Sequence, residues 1–213
     1  MPKPFADLTG NGCHAHISVW SPDGGMNLFA DPGGEMGISQ TGYHFLGGLM
    51  AHATALCAIT NPTVNSYKRI NAPVTSSGAT WSPNTVTYGG NNRTHMVRIP
   101  DAGRFELRLA DGAANPYLLP AAITAAGRDG IERSLDPGKR LDINMYAEAE
   151  KAEGAKKLPL NMLDALRELE SDATLAEKLG SETVSAFLKL KMNEWNDFKG
   201  HLTEWERTNA LDC

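Results

Sequence analysis

The clearest alternation of polar and apolar positions in the chain lies in one six-residue segment. Its order is Arg104, Phe105, Glu106, Leu107, Arg108 and Leu109. Because successive strand residues point to opposite faces, this order predicts a strand with three charged side chains on one face and three apolar ones on the other. The apolar face predicts a hydrophobic core. The charged face alone favours a solvated surface whose charges pair across a sheet, but it also suits a carboxylate–metal site flanked by guanidinium groups.

Other elements follow from the same kind of pattern. Alternation predicts strands over residues 13–20 and 94–100, the latter joined to 104–109 by a turn at 101–103. Apolar residues at helical spacing predict a helix over residues 40–59, and another that begins with Asn115 as N-cap and runs towards Ile131. Residues 70–90 predict a loop, which is too long to be a passive connector and is therefore interpreted as functional.

The last third of the chain is predicted to be helical. Helices are expected over residues 161–170, 173–179 and 182–207. The last of these has an apolar stripe formed by Val184, Leu188, Trp195, Phe198, Leu202 and Trp205. Such a stripe is typical of core packing or of a subunit contact, so we assign it no catalytic role.

Composition narrows the class of protein. A length of 213 residues with 41% hydrophobic content fits one large globular domain or most of one. No apolar stretch is long enough to span a bilayer, no signal peptide opens the chain, and we expect no membrane partner. The three cysteines are widely spaced, which favours a reducing compartment and a cytoplasmic location. The net charge of −5 argues against nucleic acid as a partner.

The charge is unevenly distributed along the chain. The stretch from residue 65 to residue 108 has only two acids, Asp101 and Glu106, but six basic residues: Lys68, Arg69, Arg93, Arg98, Arg104 and Arg108. A basic island in an acidic chain favours a small anionic ligand such as a nucleotide phosphate or a carboxylate. The alternative is chance clustering, balanced by acids that lie nearby in space.

Two further features could carry chemistry. His14 and His16 share a strand face just after Gly10-Asn11-Gly12, where the glycines would allow a ligand to approach the backbone closely. Taken alone, an HxH pair is weak evidence. Glu106 is the strongest candidate for a ligand to Mg²⁺ or Mn²⁺, but few other acids lie near these motifs, so a complete metal site would need ligands from elsewhere.

These segments, in this order, resemble the glutamine synthetase family over essentially the whole chain. The resemblance is carried by MPKP at residues 1–4, the Gly-rich HxHxS segment at 10–18, NPTVNSYKR at 61–69, NR at 92–93, RIP at 98–100, RFELR at 104–108 and AANPY at 113–117. The flap sequence brings the chain closest to the branch that contains the rhizobial type III glutamine synthetase and γ-glutamylmethylamide synthetase.

The resemblance implies a role for each matched residue. His14 and Glu106 would bind a divalent metal, Mg²⁺ or Mn²⁺, near the γ-phosphate of ATP. His16 and Ser18 would contact ATP, and Arg98 and Arg104 its phosphates. Gly10, Arg69 and Arg108 would bind glutamate, and Arg93 would lie on the transferring phosphoryl group. The implied reaction phosphorylates the glutamate γ-carboxylate, and ammonia or a small alkylamine then displaces phosphate.

The resemblance also implies an architecture. We expect an α+β fold, with an antiparallel curved sheet that forms part of an open barrel and is flanked by helices. Residues 1–213 would be the C-terminal portion of the catalytic domain, with the sheet and active-site motifs in 1–135 and a helical segment in 136–213. The family's N-terminal small domain would be absent, so we expect no synthetase activity from these residues alone. The family also implies a homo-oligomeric ring.

Two positions depart from the family pattern. The flap after Arg69 usually carries a glutamate, whereas this chain has no acid between Arg69 and Asp101. Since carboxylates help to hold ammonium and take its proton, a flap containing Trp81 instead predicts that a small alkylamine is accepted at least as well as ammonia. Tyr146 falls near a tyrosine that some members adenylylate, but its flanking sequence differs, which favours a plain surface tyrosine.

Two alternative functions stay open at this point. A phosphagen-type kinase also surrounds ATP with arginines, but the NPTVNSYKR and AANPY signatures count against it. A non-catalytic assembly fragment is the other alternative, and the intact His14, Arg93, Glu106 and Arg108 count against it.

Overall fold

A computed structural model describes residues 1–72 and 82–211. Within them, four strands form one sheet in the order β1-β4-β3-β2. The strands are β1 (Ala15–Ile17), β2 (Tyr88–Gly89), β3 (Val97–Asp101) and β4 (Arg104–Leu107). The open sheet with helices beside it confirms the predicted α+β class. The prediction of an antiparallel sheet is wrong for one pair: residues 90–96 bring the chain back so that β2 runs parallel to β3, and the sheet is mixed.

The predicted hairpin is present, and its second strand, β4, is one of the two inner strands of the sheet. It pairs antiparallel with β3 on one side and with β1 on the other. Glu106 is the register partner of both His16 and Arg98. Residues that pair across antiparallel strands have side chains on the same face, so the sheet gathers charged residues from three strands that are distant in sequence.

The opposite face of β4 lies in the hydrophobic core, as the alternation predicts. Phe105, Leu107 and Leu109 are completely buried. The ring of Phe105 lies 5.0 Å from that of Phe29, centroid to centroid, and the ring of Phe29 lies 5.0 Å from that of Phe45. Aromatic pairs at this separation add to the stability gained from burial. Packing of the apolar face therefore holds β4, and with it the charged face, in a fixed position.

Eight α-helices occur in the described ranges. They are α1 (Gln40–Ala51), α2 (Ala53–Thr60), α3 (Ser66–Ile70), α4 (Leu118–Glu132), α5 (Met162–Ser171), α6 (Ala173–Leu179), α7 (Ser181–Lys199) and α8 (Glu204–Asn209). Helices α1 and α4 pack so closely that a Cβ on Gly48 would lie 2.0 Å from the Ala126 carbonyl oxygen. Glycine is thus required at this crossing.

Two predicted helices are each divided in the structure. The helix expected over residues 40–59 breaks at His52, whose ring is drawn towards Asp129 and Asp172. The helix expected over residues 182–207 ends at Lys199, and α8 starts anew after Thr203, which forms a capping box with Glu206. The apolar stripe is divided as well, because Val184 is buried whereas Leu202 and Trp205 are 67% and 71% exposed.

Two further predicted elements are found with changed bounds. Helix α4 starts at Leu118 with Tyr117 as its N-cap residue, so the predicted start at Asn115 is too early. The Asn115 side-chain oxygen still accepts the backbone N–H groups of Tyr117 and Leu118 just before the helix. The loop expected over residues 70–90 contains strand β2, and its central part, residues 73–81, lies outside the described residues. None of the described helices combines the length and apolar character needed to cross a membrane.

Candidate active site

Glu106 is the centre of the charged face. It is 4% exposed, and each of its carboxylate oxygens accepts a hydrogen bond from an arginine. Arg98 Nη1 donates to Oε2 at 2.7 Å, and Arg108 Nη1 donates to Oε1 at 2.8 Å. Burial tends to raise the pKa of Glu106, but the hydrogen bond from Arg98 and the charges of Arg108 and Arg98 bring the pKa below its usual value. Glu106 is therefore an anion held beneath two cations.

His14, which lies just before the edge strand β1, completes this cluster. Its Nδ1 lies 3.1 Å from Glu106 Oε1 and 3.3 Å from Arg108 Nη1. Burial and the charge of Arg108 lower the pKa of His14, with Glu106 acting in the opposite direction. A lowered pKa keeps the imidazole neutral, which is the form that binds metals.

The donor chemistry of this pair fits a divalent metal. A carboxylate oxygen and a neutral imidazole nitrogen 3.1 Å apart could both contact one ion. Yet residues 1–72 and 82–211 contain no group of three His, Cys, Asp or Glu side chains able to hold a metal. His14 and Glu106 would thus supply two ligands, as the sequence predicts, and the others would have to come from elsewhere.

Arg69 lies beneath the cluster and is 6% exposed. Its Nη1 donates to the Leu109 carbonyl oxygen at 3.1 Å, and Asn61 Nδ2 donates to the same oxygen at 3.0 Å. Burial lowers the pKa of Arg69 and the carboxylate of Asp111 opposes this effect. Asp111 is itself fully buried and accepts from Asn61 at 3.0 Å, so a buried polar network links the NPTVNSYKR segment to the end of β4.

The glycine-rich segment lies directly against Arg69. A Cβ on Gly12 would lie 2.9 Å from Arg69 Nη2 and 3.2 Å from His14 Nε2. A Cβ on Gly10 would lie 2.6 Å from the Pro2 carbonyl oxygen and 3.3 Å from Arg69 Cγ. A side chain at Gly12 would displace Arg69 or His14, and one at Gly10 would displace the backbone at Pro2 and press on Arg69, which explains in steric terms why glycines precede the HxH pair.

One donor in this cluster has no protein partner. Arg108 Nε is buried and lacks a hydrogen-bond partner within the part of the chain that the structure describes. Buried N–H donors are nearly always satisfied, so this atom fits a ligand with acceptor oxygens. A carboxylate or phosphate could accept from it while Nη1 stays bound to Glu106.

His16 and Arg104 form the outer part of the same face. Arg104 Nη1 lies 3.2 Å from His16 Nδ1, and Arg104 Nε donates to Asp101 Oδ1 at 3.1 Å. Ser18 lies just after the end of β1, and its hydroxyl oxygen accepts a hydrogen bond from Trp20 Nε1 at 3.0 Å. Arg93 is exposed and close enough for its charge to contribute to the lowered pKa of Arg108.

The structure thus brings most of the predicted site residues together. His14, Glu106, Arg98 and Arg108 are in contact, Arg69 and the two glycines adjoin them, and His16 and Arg104 are paired beside them. Three supporting residues were missed from the sequence: Asn91, whose Oδ1 accepts from Arg98 Nε at 2.9 Å, Asp101 and Asp111. The AANPY motif pointed near Asp111, but no sequence signal marks Asn91 or Asp101.

Comparison with known proteins places this site in a family. Residues 1–210 match the family described as glutamine synthetase, catalytic domain. A glutamine synthetase of Rhizobium leguminosarum is 64% identical over 212 residues, covering all of this chain and 49% of that protein. A glutamate–methylamine ligase of Methyloversatilis universalis is 45% identical over 217 residues, which cover 100% of this chain and 48% of that protein.

Solved structures agree with these sequence relatives. A structure of GmaS without ligand has a TM-score of 0.92 and 63% identity, covering 100% of this chain and 48% of that one. A GmaS/ADP complex also has a TM-score of 0.92, with 67% identity and coverage of 100% and 49%. The chain belongs to the glutamine synthetase family. It spans about half the length of the relatives it matches.

Proposed function

We propose that the complete protein carrying these residues is an ATP-dependent ligase that joins glutamate to ammonia or a small alkylamine. The observation that carries this proposal is the cluster in which His14, Arg98 and Arg108 surround Glu106, with the charge of Arg69 near His14. His14 and Glu106 could hold a divalent metal beside several fixed cations. Such an arrangement suits phosphoryl transfer, in which positioning and charge neutralisation account for most of the catalysis.

The chemistry has two steps. An oxygen of the glutamate γ-carboxylate attacks the γ-phosphorus of ATP, the bond from that phosphorus to the bridging oxygen breaks, and ADP leaves. The amine nitrogen then attacks the carbonyl carbon of γ-glutamyl phosphate, loses a proton, and inorganic phosphate leaves. Phosphorylation is needed because a bare carboxylate has no adequate leaving group.

Within this scheme each residue has a proposed task. Glu106 and His14 hold the divalent metal, which would neutralise phosphate charge when bound. Arg108, whose Nε is an unused buried donor, Arg69 and the close backbone at Gly10 bind glutamate. Arg93 contacts the transferring phosphoryl group. The nucleotide contacts are Arg98, Arg104, His16 and Ser18.

The amine is the finer part of the proposal. The 45% identical relative is a glutamate–methylamine ligase, and this chain has no acid between Arg69 and Asp101 that could stabilise ammonium. We propose that a small alkylamine is used at least as well as ammonia. Trp81, which the sequence places in the flap, lies outside the described residues.

The decisive experiment is amine profiling of the complete protein. We expect kcat/KM for methylamine to equal or exceed that for ammonia in an assay with ATP, glutamate and Mg²⁺ or Mn²⁺. A strong preference for ammonia would contradict the alkylamine assignment, and no amide with either amine would contradict the ligase assignment. The 213 residues alone serve as the negative control, because their described part offers only two adjacent metal ligands.

The assembly and location also belong to the proposal. The family resemblance supports a homo-oligomeric ring, and exposed apolar side chains such as Leu202 and Trp205 support a contact between subunits. Cys13 and Cys57 are free thiols, which supports a reducing compartment and hence the cytoplasm. Tyr146 is half-buried and its N–H donates to Asn144, and we assign it no regulatory role.

A further inference from the structure

Arg104 is held between an acid and an imidazole at the edge of the candidate site. Asp101 and Arg104 are register partners at the end of the β3–β4 hairpin. The Asp101 carboxylate accepts from Arg104 Nε at 3.1 Å and from Arg104 Nη2 at 2.5 Å. A carboxylate that accepts two N–H bonds from one guanidinium fixes its plane as well as its position. The third nitrogen, Nη1, then lies 3.2 Å from His16 Nδ1.

The contact with Arg104 favours one tautomer of a neutral His16 ring. A guanidinium group has only donors, so His16 Nδ1 must act as the acceptor in this contact. A neutral imidazole has one acceptor nitrogen and one N–H, so the tautomer that makes this contact has its N–H on Nε2. The Nε2–H group is left as the donor that His16 can offer to a ligand.

We propose that Asp101 is a positioning residue for the nucleotide: it orients Arg104, which in turn holds His16 with Nε2–H available to ATP. The inference rests on the proposed function, since it takes His16 and Arg104 to be nucleotide contacts. Asp101 itself lies one step back from the ligand and acts through Arg104. It belongs to none of the motifs that carry the family resemblance.

A purely structural role for the pair is the competing explanation. The Asp101 and Arg104 side chains are 59% and 40% exposed, and exposed ion pairs contribute little to folding stability. The turn between them is already favoured by Gly103, which has a φ of +70°. Loss of the Asp101 charge is therefore expected to alter the geometry of Arg104 without unfolding the hairpin.

The test is Asp101→Asn in the complete protein, with steady-state kinetics for both substrates. We expect KM for ATP to rise by about 3- to 10-fold, the equivalent of losing one charge-assisted contact. We expect KM for glutamate and kcat to stay within about 2-fold of the wild type. Asp101→Glu retains the carboxylate and is expected to recover part of the ATP affinity.

Asp142→Asn is the matched control. Asp142 is 65% exposed and accepts from Arg140 Nη2 at 2.7 Å, so it forms a similar acid–arginine pair that contains no proposed site residue. It is expected to change none of these constants. A second comparison places Asp101→Asn in an Arg104→Ala background, where it should have no further effect because Asp101 acts through Arg104.

The outcomes separate this inference from the proposed function. Unchanged KM for ATP in Asp101→Asn, an equal rise in KM for both substrates, or the same effect with Arg104 absent would each overturn the inference. Direct titration of wild type and Asp101→Asn with ADP gives a readout that does not need amide formation. Asp101-dependent ADP binding without any amide product would overturn the ligase proposal alone, and no ADP binding by the wild type would overturn both.

Discussion

At the scale of single residues, the site depends on the compensation of buried charge. Glu106 is 4% exposed and lies within 3.1 Å of two arginines and a histidine. A buried carboxylate is tolerated only when it is paired and hydrogen-bonded, and the same is true of the cations around it. Glu106 thus has two tasks, which are to neutralise Arg98 and Arg108 and to offer an oxygen beside His14.

Glu106→Gln removes the negative charge and keeps nearly the same side-chain shape, so it tests the role of the charge. The amide removes the anionic ligand and leaves Arg98 and Arg108 without a counter-charge, so we expect kcat/KM of the complete protein to fall on the order of 100-fold or more. The measurement is amide formation over a range of Mg²⁺ and Mn²⁺ concentrations.

Glu132→Gln is the control for this substitution. Glu132 is 43% exposed and pairs with Arg128 and Lys178. The substitution therefore removes ion pairs outside the site and should leave kcat/KM within about 2-fold of the wild-type value. Full activity of Glu106→Gln at ordinary metal concentrations would show that the carboxylate does not hold the metal.

The sequence predicts this centre well for a specific reason. The period-two alternation alone places Arg104, Glu106 and Arg108 on one face, and the family motifs supply His14 and Arg69. Asn91 and Asp101 could not be predicted, because each binds a guanidinium through a contact that forms only after the chain has folded back on itself. For Asn91 and Arg98 this happens where residues 90–96 bring β2 beside β3, and for Asp101 and Arg104 at the turn between β3 and β4. Polar residues in turns are common, and nothing local distinguishes these two.

At the scale of elements, the break between α1 and α2 has a tertiary cause. Residues 40–59 carry neither proline nor a helix-ending glycine near position 52. The helical spacing of apolar residues in the sequence therefore continues through the break. His52 is nearly buried, and its Nδ1 and Nε2 lie 2.5 Å from Asp172 Oδ2 and 3.0 Å from Asp129 Oδ2. One imidazole therefore connects the α1–α2 junction to α4 and to the N-cap of α6.

This connection predicts how stability depends on pH. Burial tends to lower the pKa of His52, but the bonds and charges of Asp172 and Asp129 raise the pKa above its ordinary value of 6.5. A raised pKa in the folded state stabilises the fold fully below pH 6.5, and this contribution is lost as the pH rises through the raised value. We expect the free energy of unfolding to decrease as the pH rises above 6.5 and through this raised pKa.

His52→Gln is expected to be less stable than the wild type at pH 6.5 and to lose most of this pH dependence. Urea unfolding followed by circular dichroism at pH 6.5 and at a series of higher pH values measures the two effects. His44→Gln is the control on the same helix, because His44 contacts the Leu135 carbonyl oxygen rather than a carboxylate. An equally steep decrease in His52→Gln would assign the pH dependence to other groups.

At the scale of the whole molecule, the C-terminal helices change from core to surface along their length. Val184 is buried, Leu188 and Trp195 pack against the core, and beyond Gly200 Leu202 and Trp205 are 67% and 71% exposed. The sequence shows one continuous stripe and cannot indicate where packing within the chain ends. The division follows from the end of α7 at Lys199, after which the capping box at Thr203 starts a separate helix.

The exposed end of this stripe predicts a subunit contact. Burying one leucine side chain stabilises an interface by about 1.5–3 kcal/mol, so Leu202→Ser should raise the dissociation constant of the proposed ring by at least about 10-fold, and Trp205→Ser should do the same. Sedimentation velocity of the complete protein measures this shift towards smaller species. Leu190→Ser is the control, since Leu190 is 64% exposed on α7 but lies outside the stripe. Equal dissociation in Leu190→Ser, or none in Leu202→Ser and Trp205→Ser, would place the contact between subunits elsewhere.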